Sequence, residues 1–267
     1  TWDKDNMMYK CIKKDLMENN GIFEIKQMIT KEEAFKVIEL AESTGFQETF
    51  QRETRECAFR KNGRLQIHSE KLAQILFDRI QMHLPTFNDK IKPIGLSDNF
   101  RLYKYTPGQA FGPHIDESVR TNAGYATLYT LLMYLNDDGL TGGETTFYTS
   151  DSYPGRNMNI ALKYKPKLGN GLVHMHGDQC LLHEGNEVKG GIKYLKDGKT
   201  PATNDIVHQL FASEVAGSKP FKQVAQRMAL FGREKYQAFE KPEDSAIDEL
   251  NNQIGYAIYD EAEGDTD

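Results

Sequence analysis

The chain has 267 residues and a mass of 30.5 kDa, with 39% hydrophobic and 27% charged residues. That make-up excludes intrinsic disorder, collagen and a disulfide scaffold, and it fits one large globular domain or two small ones. A chain of this length buries roughly three quarters of its unfolded surface, so its core needs no metal or disulfide staple and any bound metal serves function. The net charge of −6 is uneven: residues 240–267 hold ten Asp/Glu against one Lys, which leaves the rest at +3. A near-neutral body lacks the clustered basic face of a nucleic-acid binder, and the acidic end reads as a solvated tail. The longest apolar runs, such as Leu131 to Leu135, fall far short of the about 20 residues of a membrane-spanning helix. Neither a nucleic-acid nor a membrane partner is expected. Cys11, Cys57 and Cys180 are scattered without a Cys-x-x-Cys pair, as expected of reduced packing thiols in an intracellular, cytoplasmic protein. Thr1 in place of an initiating Met points to a trimmed chain, whose upstream signal would bear on that placement.

In chain order, Thr30-Lys31-Glu32-Glu33 reads as a capping box opening a helix, with Ala34, Val37, Ile38 and Ala41 on its apolar stripe. Gly45 stands where a left-handed C-terminal cap belongs. A second helix follows Ser69, with Leu72, Ile75, Leu76, Ile80 and Leu84 on one face and Pro85 as its stop. From Asn99 the texture changes to short runs rich in Tyr, Leu, Thr and Val, separated by turns. These runs are 101–105, 125–135, 145–148, 159–164, 172–175, 191–195 and 205–211, a set of seven or eight strands. No helices alternate with them, so a jelly roll is expected in place of a parallel sheet. Residues 221–239 return to a helical pattern. The fold class read from this order is α+β, mainly β: a double-stranded β-helix with N-terminal supporting helices and a C-terminal helical extension. The corresponding boundaries are a support region over 1–98, a catalytic core over 99–215 and a helical, acidic extension over 216–267.

Of the seven histidines, His114 carries the clearest signal, in Gly112-Pro113-His114-Ile115-Asp116. In extended chain, residues i and i+2 share a face, so the imidazole of His114 and the carboxylate of Asp116 converge. One more His from a distant strand would complete a two-His, one-carboxylate facial triad with three open positions, the arrangement of non-haem Fe(II) oxygenases. His174, His176 and His183 compete for that place, and His174 and His176 share a strand face on which they can also pair with each other. Lys193 lies in the apolar run Ile192-Lys193-Tyr194-Leu195, either as a cation set inside a pocket or as a lysine snorkelling at a strand edge.

The stretch from Arg101 to Leu195 resembles the catalytic core of the Fe(II)- and 2-oxoglutarate-dependent oxygenases, in the branch similar to prolyl 4-hydroxylases. The resemblance is carried by Leu102-Tyr103-Lys104-Tyr105-Thr106-Pro107-Gly108-Gln109, His114-Ile115-Asp116, Leu131 to Asn136, Gly142-Gly143-Glu144-Thr145-Thr146-Phe147, Pro166 to Gly169, and His183-Glu184-Gly185 with Val188 and Lys193. It implies that His114, Asp116 and His183 bind Fe(II), and that Lys193 pairs with the far carboxylate of 2-oxoglutarate. It further implies that Tyr105 and Tyr134 wall the cosubstrate pocket. Dioxygen, a small-molecule or peptide substrate and ascorbate as reductant are the implied partners. The implied reaction is oxidation, by hydroxylation, of an aliphatic C–H in a prolyl, peptide or free amino-acid-type substrate, with decarboxylation of 2-oxoglutarate to succinate. The alternatives are a non-catalytic jelly-roll metal- or ligand-binding module and, less well matched, a zinc hydrolase, which has no use for Lys193. Glu144 is expected to serve only a tight turn, and His174 and His176 to line the pocket mouth or pack in the sheet. The family's hydrophobic-Arg-(Ser/Thr)-Asp continuation is missing after Leu195, where Lys196 to Ala202 reads as an inserted turn. Loops over 117–124 and 149–158 have the composition of a lid.

Overall fold

The computed structural model describes residues 11–54, 57–86, 93–119, 126–152 and 157–202. The expected strand 205–211, helix 221–239 and acidic tail lie outside these residues, as do 120–125 and 153–156 of the two candidate lids.

Helix α1 spans Lys31–Thr44 and opens with the expected capping box: Thr30 Oγ1 accepts from the Glu33 N–H at 3.1 Å, and Glu33 Oε2 accepts from the Thr30 N–H at 2.8 Å. Gly45 takes φ 94° and ψ 145°, a glycine conformation outside the left-handed helical well. The expected cap is replaced by an abrupt exit into the strand that follows. Helix α2, Glu70–Ile80, is capped by Ser69 Oγ, which accepts from the Leu72 N–H, and a single tighter turn precedes Pro85. Neither helix is long and apolar enough to cross a membrane. The carboxylate of Glu33 does two jobs, since it also accepts from both terminal nitrogens of Arg79 on α2, at 2.6 and 2.8 Å, with both side chains almost buried.

Fourteen strands occur among the described residues: β1 Ile12–Met17, β2 Ile22–Lys26, β3 Gln47–Gln51, β4 Arg60–His68, β5 Asn99–Tyr105, β6 Phe111–His114, β7 Ala126–Tyr134, β8 Thr141–Gly142, β9 Thr145–Tyr148, β10 Ile160–Tyr164, β11 Gly171–Met175, β12 His183–Gly185, β13 Val188–Gly190 and β14 Lys193–Ala202. All pairings are antiparallel, in the order β1-β2-β11-β7-β14-β5-β4-β6-β12-β9-β10, with β3 added on β4 and β8 paired with β13. The jelly-roll expectation holds, and from Asn99 on the described residues form ten strands, β5 to β14, where seven or eight were expected. The additional ones are very short, such as Thr141–Gly142 and His183–Gly185, and owe their conformation to pairing, with little propensity of their own.

The expected inserted turn at 196–202 is corrected: this segment continues β14 without a break, paired to β7 from Leu195↔Tyr134 to Ala202↔Ala126. Asp197, Gly198 and Pro201 read as turn residues in isolation. In the sheet, Gly198 leaves room for the Phe100 ring, which an added Cβ would meet at 3.2 Å, and a register shift between Thr200 and Pro201 absorbs the proline.

Alternation divides the main sheet into two faces. Phe100 and Leu102 of β5, Tyr129, Leu131 and Met133 of β7, and Val173 and Met175 of β11 pack with α1 and α2 in one core. The opposite face presents Tyr103 and Tyr105, Thr130 and Tyr134, His174, and Lys193 and Leu195, all buried. An aliphatic face rests on helices and a polar, aromatic face looks into the barrel, where only a ligand or a complete hydrogen-bond network makes burial of such groups tolerable. Because Glu33 both caps α1 and neutralises Arg79, Glu33→Ala is expected to destabilise the fold by about 3–5 kcal/mol in chemical denaturation, and a loss below about 1 kcal/mol contradicts that role.

Candidate metal centre

Strand β6 ends at His114 and β12 begins at His183, and the two are direct cross-strand partners. Asp116 follows two residues beyond His114. One ligand atom from each of His114, Asp116 and His183 lies within 4.8 Å of the others. The Nε2 of His114 stands 3.9 Å from Asp116 Oδ1. At each imidazole Nδ1 faces a backbone carbonyl, Gly112 O at 2.8 Å for His114 and Leu181 O at 2.9 Å for His183. Those contacts make Nδ1 the protonated nitrogen and leave the Nε2 lone pair for a cation. Burial, reinforced by the neighbouring His183 and opposed by Asp116, holds the His114 pKa down to about 3, so the ring is neutral and able to ligate. Phe111 stacks on His114 at 3.7 Å between centroids and Phe147 on His183 at 5.3 Å, which fixes both rings and excludes water from their outer faces.

The remaining Asp116 oxygen is held by a chain of hydrogen bonds that sequence reasoning missed. Thr130 Oγ1 donates to Asp116 Oδ2 at 2.6 Å and faces Nε2 of His176, while Thr127 Oγ1 meets the other ring nitrogen at 2.9 Å. The Val119 N–H donates to Thr127 Oγ1 at 2.9 Å. Every donor is accounted for if the Nε2–H of His176 donates to Thr130 and the Thr127 hydroxyl donates to Nδ1. His176 thus has a specific task, where lining or packing was expected. A period-two reading does place Thr130 and His176 on inward faces, but nothing in the sequence pairs them.

His174 departs further from its expected role. Its Nδ1 faces Met175 O at 3.2 Å, and its fully buried Nε2 has no hydrogen-bond partner among the described residues. That Nε2 points at Asp116 Oδ2, 3.7 Å away. Cys180, expected to be a packing thiol, lies at the centre of the cluster: its Sγ accepts from the Asp116 N–H at 3.4 Å and sits 3.7 Å from His183 Nδ1 and 3.9 Å from His174 Nδ1. His174, Cys180 and His183 form a second set close enough to hold a metal. The carbonyls on both Nδ1 atoms argue against that set, because a proton occupies each nitrogen it would need. The first set, with two imidazoles whose Nε2 atoms are open, one carboxylate and an orphaned buried nitrogen beside it, fits a divalent cation of the Fe(II) type.

Lys193 is 2% exposed, with its Nζ donating to Gly143 O at 2.7 Å and lying 5.5 and 5.6 Å from the ring centroids of Tyr105 and Tyr134. The snorkelling alternative is excluded. Gly142 and Gly143 both take positive φ, and a Cβ on Gly143 would press on the Lys193 stem at 3.2 Å, so the glycine pair both turns the chain and admits the lysine. Among the described residues no carboxylate lies within ion-pair distance of Nζ, and burial holds its pKa down to about 7, with Glu144 opposing weakly. Tyr105 OH accepts from Asn62 Nδ2 at 2.9 Å, and Tyr134 OH meets Thr145 Oγ1 at 2.8 Å. Burial raises both phenols, Tyr105 to about 12, so both stay neutral hydrogen-bonding groups. Of the other histidines, His68 is half-exposed at the far end of β4 and His208 lies outside the described residues.

Residues 100–196 match the family model of the 2OG-Fe(II) oxygenase superfamily. No curated protein matches the chain in sequence. Among solved structures, a viral collagen prolyl hydroxylase from Paramecium Bursaria Chlorella virus-1 in complex with 2OG is 20% identical, at TM-score 0.46, over 71% of this chain and 100% of that one. A Pseudomonas putida prolyl-4-hydroxylase is 15% identical, at TM-score 0.43, over 68% of this chain and 92% of that one. A Trichoplax adhaerens prolyl hydroxylase in complex with a hypoxia inducible factor peptide fragment is 17% identical, at TM-score 0.50, over 69% of this chain and 84% of that one. At 17% identity the likeness to the Trichoplax protein is one of fold. Over residues 100–196 the chain is thus similar to the 2OG-Fe(II) oxygenase superfamily, a match that supports an Fe(II)- and 2-oxoglutarate-dependent dioxygenase, on a fold similar to that of the Trichoplax prolyl hydroxylase.

Proposed function

We propose that His114, Asp116 and His183 hold the Fe(II), that Lys193 binds the far carboxylate of 2-oxoglutarate, and that the enzyme hydroxylates an aliphatic C–H of a peptide or free amino-acid-type substrate. The observation that carries this reading is the meeting of three ligand atoms within 4.8 Å, in the same barrel as a buried ammonium group that has no carboxylate partner among the described residues. An alternative, non-catalytic module accounts for a metal but not for the solitary lysine. The bound peptide fragment of the Trichoplax relative favours a peptide-type substrate by analogy of fold.

When bound, Fe(II) and dioxygen supply the oxidation, with 2-oxoglutarate giving up carbon dioxide and leaving as succinate. The chain's own groups do the rest. Lys193 neutralises the cosubstrate's distal charge, the rings of Tyr105 and Tyr134 beside its Nζ wall that pocket, and Phe111 and Phe147 exclude water around the imidazoles. Thr130 and His176 keep one Asp116 oxygen occupied, so the other is presented to the metal.

Anaerobic addition of Fe(II) and then 2-oxoglutarate should give a visible metal-to-ligand charge-transfer band, and admission of oxygen should release succinate. His183→Ala should lose both, and a wild-type protein that shows neither contradicts the reading. A carboxylate bound beside Lys193 stabilises its charged form, so above pH of about 7 binding takes up a proton. The apparent affinity for 2-oxoglutarate should therefore fall as pH rises from about 7 to about 9, by up to tenfold per unit. Lys193→Met should raise the KM for 2-oxoglutarate strongly and remove that slope, and a slope that survives the substitution assigns it to another group. Thr130→Val should weaken Fe(II) binding by about 10- to 100-fold in competition with a chelator, whereas unchanged affinity denies the chain its positioning role.

A further inference from the structure

The cosubstrate accounts for one cation of the barrel, and a second, half-buried one lies on β4. Strand β4 alternates Arg60, Lys61 and Asn62, with Lys61 exposed and Asn62 fully buried, so Arg60 and Asn62 share the inward face. Arg60 is paired in register with Phe111, the residue that stacks on His114. Its guanidinium lies between two rings, 4.5 Å from the centroid of Phe111 and 4.9 Å from that of Tyr103. Its Nε is buried without a hydrogen-bond partner, and no carboxylate lies within ion-pair distance of Arg60 among the described residues. Asn62 Oδ1, two residues on, is also buried without a partner, while Nδ2 is spent on Tyr105. The tyrosines order the cavity: Lys193 over Tyr105, then Tyr103 at 6.3 Å from Tyr105, then Arg60 between Tyr103 and Phe111, one ring away from His114.

We propose that Arg60 anchors a carboxylate of the substrate, so that the molecule oxidised here bears an anionic group within reach of Arg60 and presents its C–H across Phe111 toward the metal. This rests on the function proposed above. A guanidinium held between two rings keeps its planar donor edge free for bidentate capture of a carboxylate, which an ammonium group cannot match. Asn62 Oδ1 accepts only, and so suits an N–H of the same molecule. A free amino acid offers the carboxylate as its terminus, and a peptide offers it as an Asp or Glu side chain.

The test uses the full chain loaded with Fe(II) and 2-oxoglutarate, with succinate release as the readout. One arm compares the proteinogenic amino acids, proline included, with their carboxamides. The other compares capped tripeptides centred on Asp or Glu with their Asn or Gln counterparts. The expected result is stimulation by acids well above their amide partners in one arm, which identifies the source of the carboxylate. Arg60→Met should lower kcat/KM for the best acid by about 10- to 100-fold, mainly through its KM, with the KM for 2-oxoglutarate unchanged. Arg60→Lys should retain the preference for acid over amide, with weaker binding. A panel in which no acid exceeds its amide overturns the proposal, as does an Arg60→Met protein whose loss falls equally on acid and amide or on 2-oxoglutarate. The charge-transfer band of the same samples reports separately on the underlying function, since its absence sinks that reading and its presence leaves the panel to judge Arg60.

Discussion

The pairing of β6 with β12 is the constraint on which the site depends. His183 lies directly across from His114, and in an antiparallel pair such partners are the closest side chains that two strands can offer. Strands of four and three residues have little register energy of their own. Their alignment is set by the flanking pairings of β6 with β4 at Arg60↔Phe111 and of β12 with β9 at His183↔Phe147. A slip of one residue would turn His183 to the opposite face and bring Glu184 inward, dissolving the cluster at one stroke.

The cost of the site falls on the interior of the barrel. Lys193, Thr130, His174 and His176 are all nearly inaccessible, and burial of such groups opposes folding unless each finds a partner. Most do: Lys193 on Gly143 O, and Thr130 and His176 in the chain that ends on Asp116. Three of the buried atoms left without hydrogen-bond partners among the described residues, Nε2 of His174, Nε of Arg60 and Oδ1 of Asn62, lie on the inward faces of β11 and β4. The aliphatic face on α1 and α2 provides the compensating stability, although it too holds an anomaly, Lys196, whose Nζ lies 3.4 Å from the centre of the Phe100 ring. Burial drives that ammonium group toward its neutral form.

Much of this was legible in the sequence because it is local. The capping box at Thr30, the end of α2 before Pro85 and the shared face of His114 and Asp116 follow from spacings of two to four residues. Lys193 announced itself as a charge in an apolar strand. What stayed hidden depends on which strand lies beside which. Periodicity could not choose among His174, His176 and His183, since all three face inward and only register sets His183 against His114. Arg60 and Asn62 sit in Arg60-Lys61-Asn62-Gly63-Arg64, a sequence with the look of a solvated loop, and become strand residues through pairing with β5 and β6. Likewise Lys196 to Ala202 has turn composition, and two flanking strands override it.

Two overlapping donor sets share His183, one with His114 and Asp116, the other with His174 and Cys180, and the chemistry depends on which of them holds the metal. X-ray absorption at the iron edge of the Fe(II)-loaded protein tests this directly. The His114, Asp116 and His183 assignment predicts a first shell of nitrogen and oxygen only, with outer-shell scattering from two imidazoles. A sulfur shell at about 2.3 Å, the distance of a metal-bound thiolate, would contradict it.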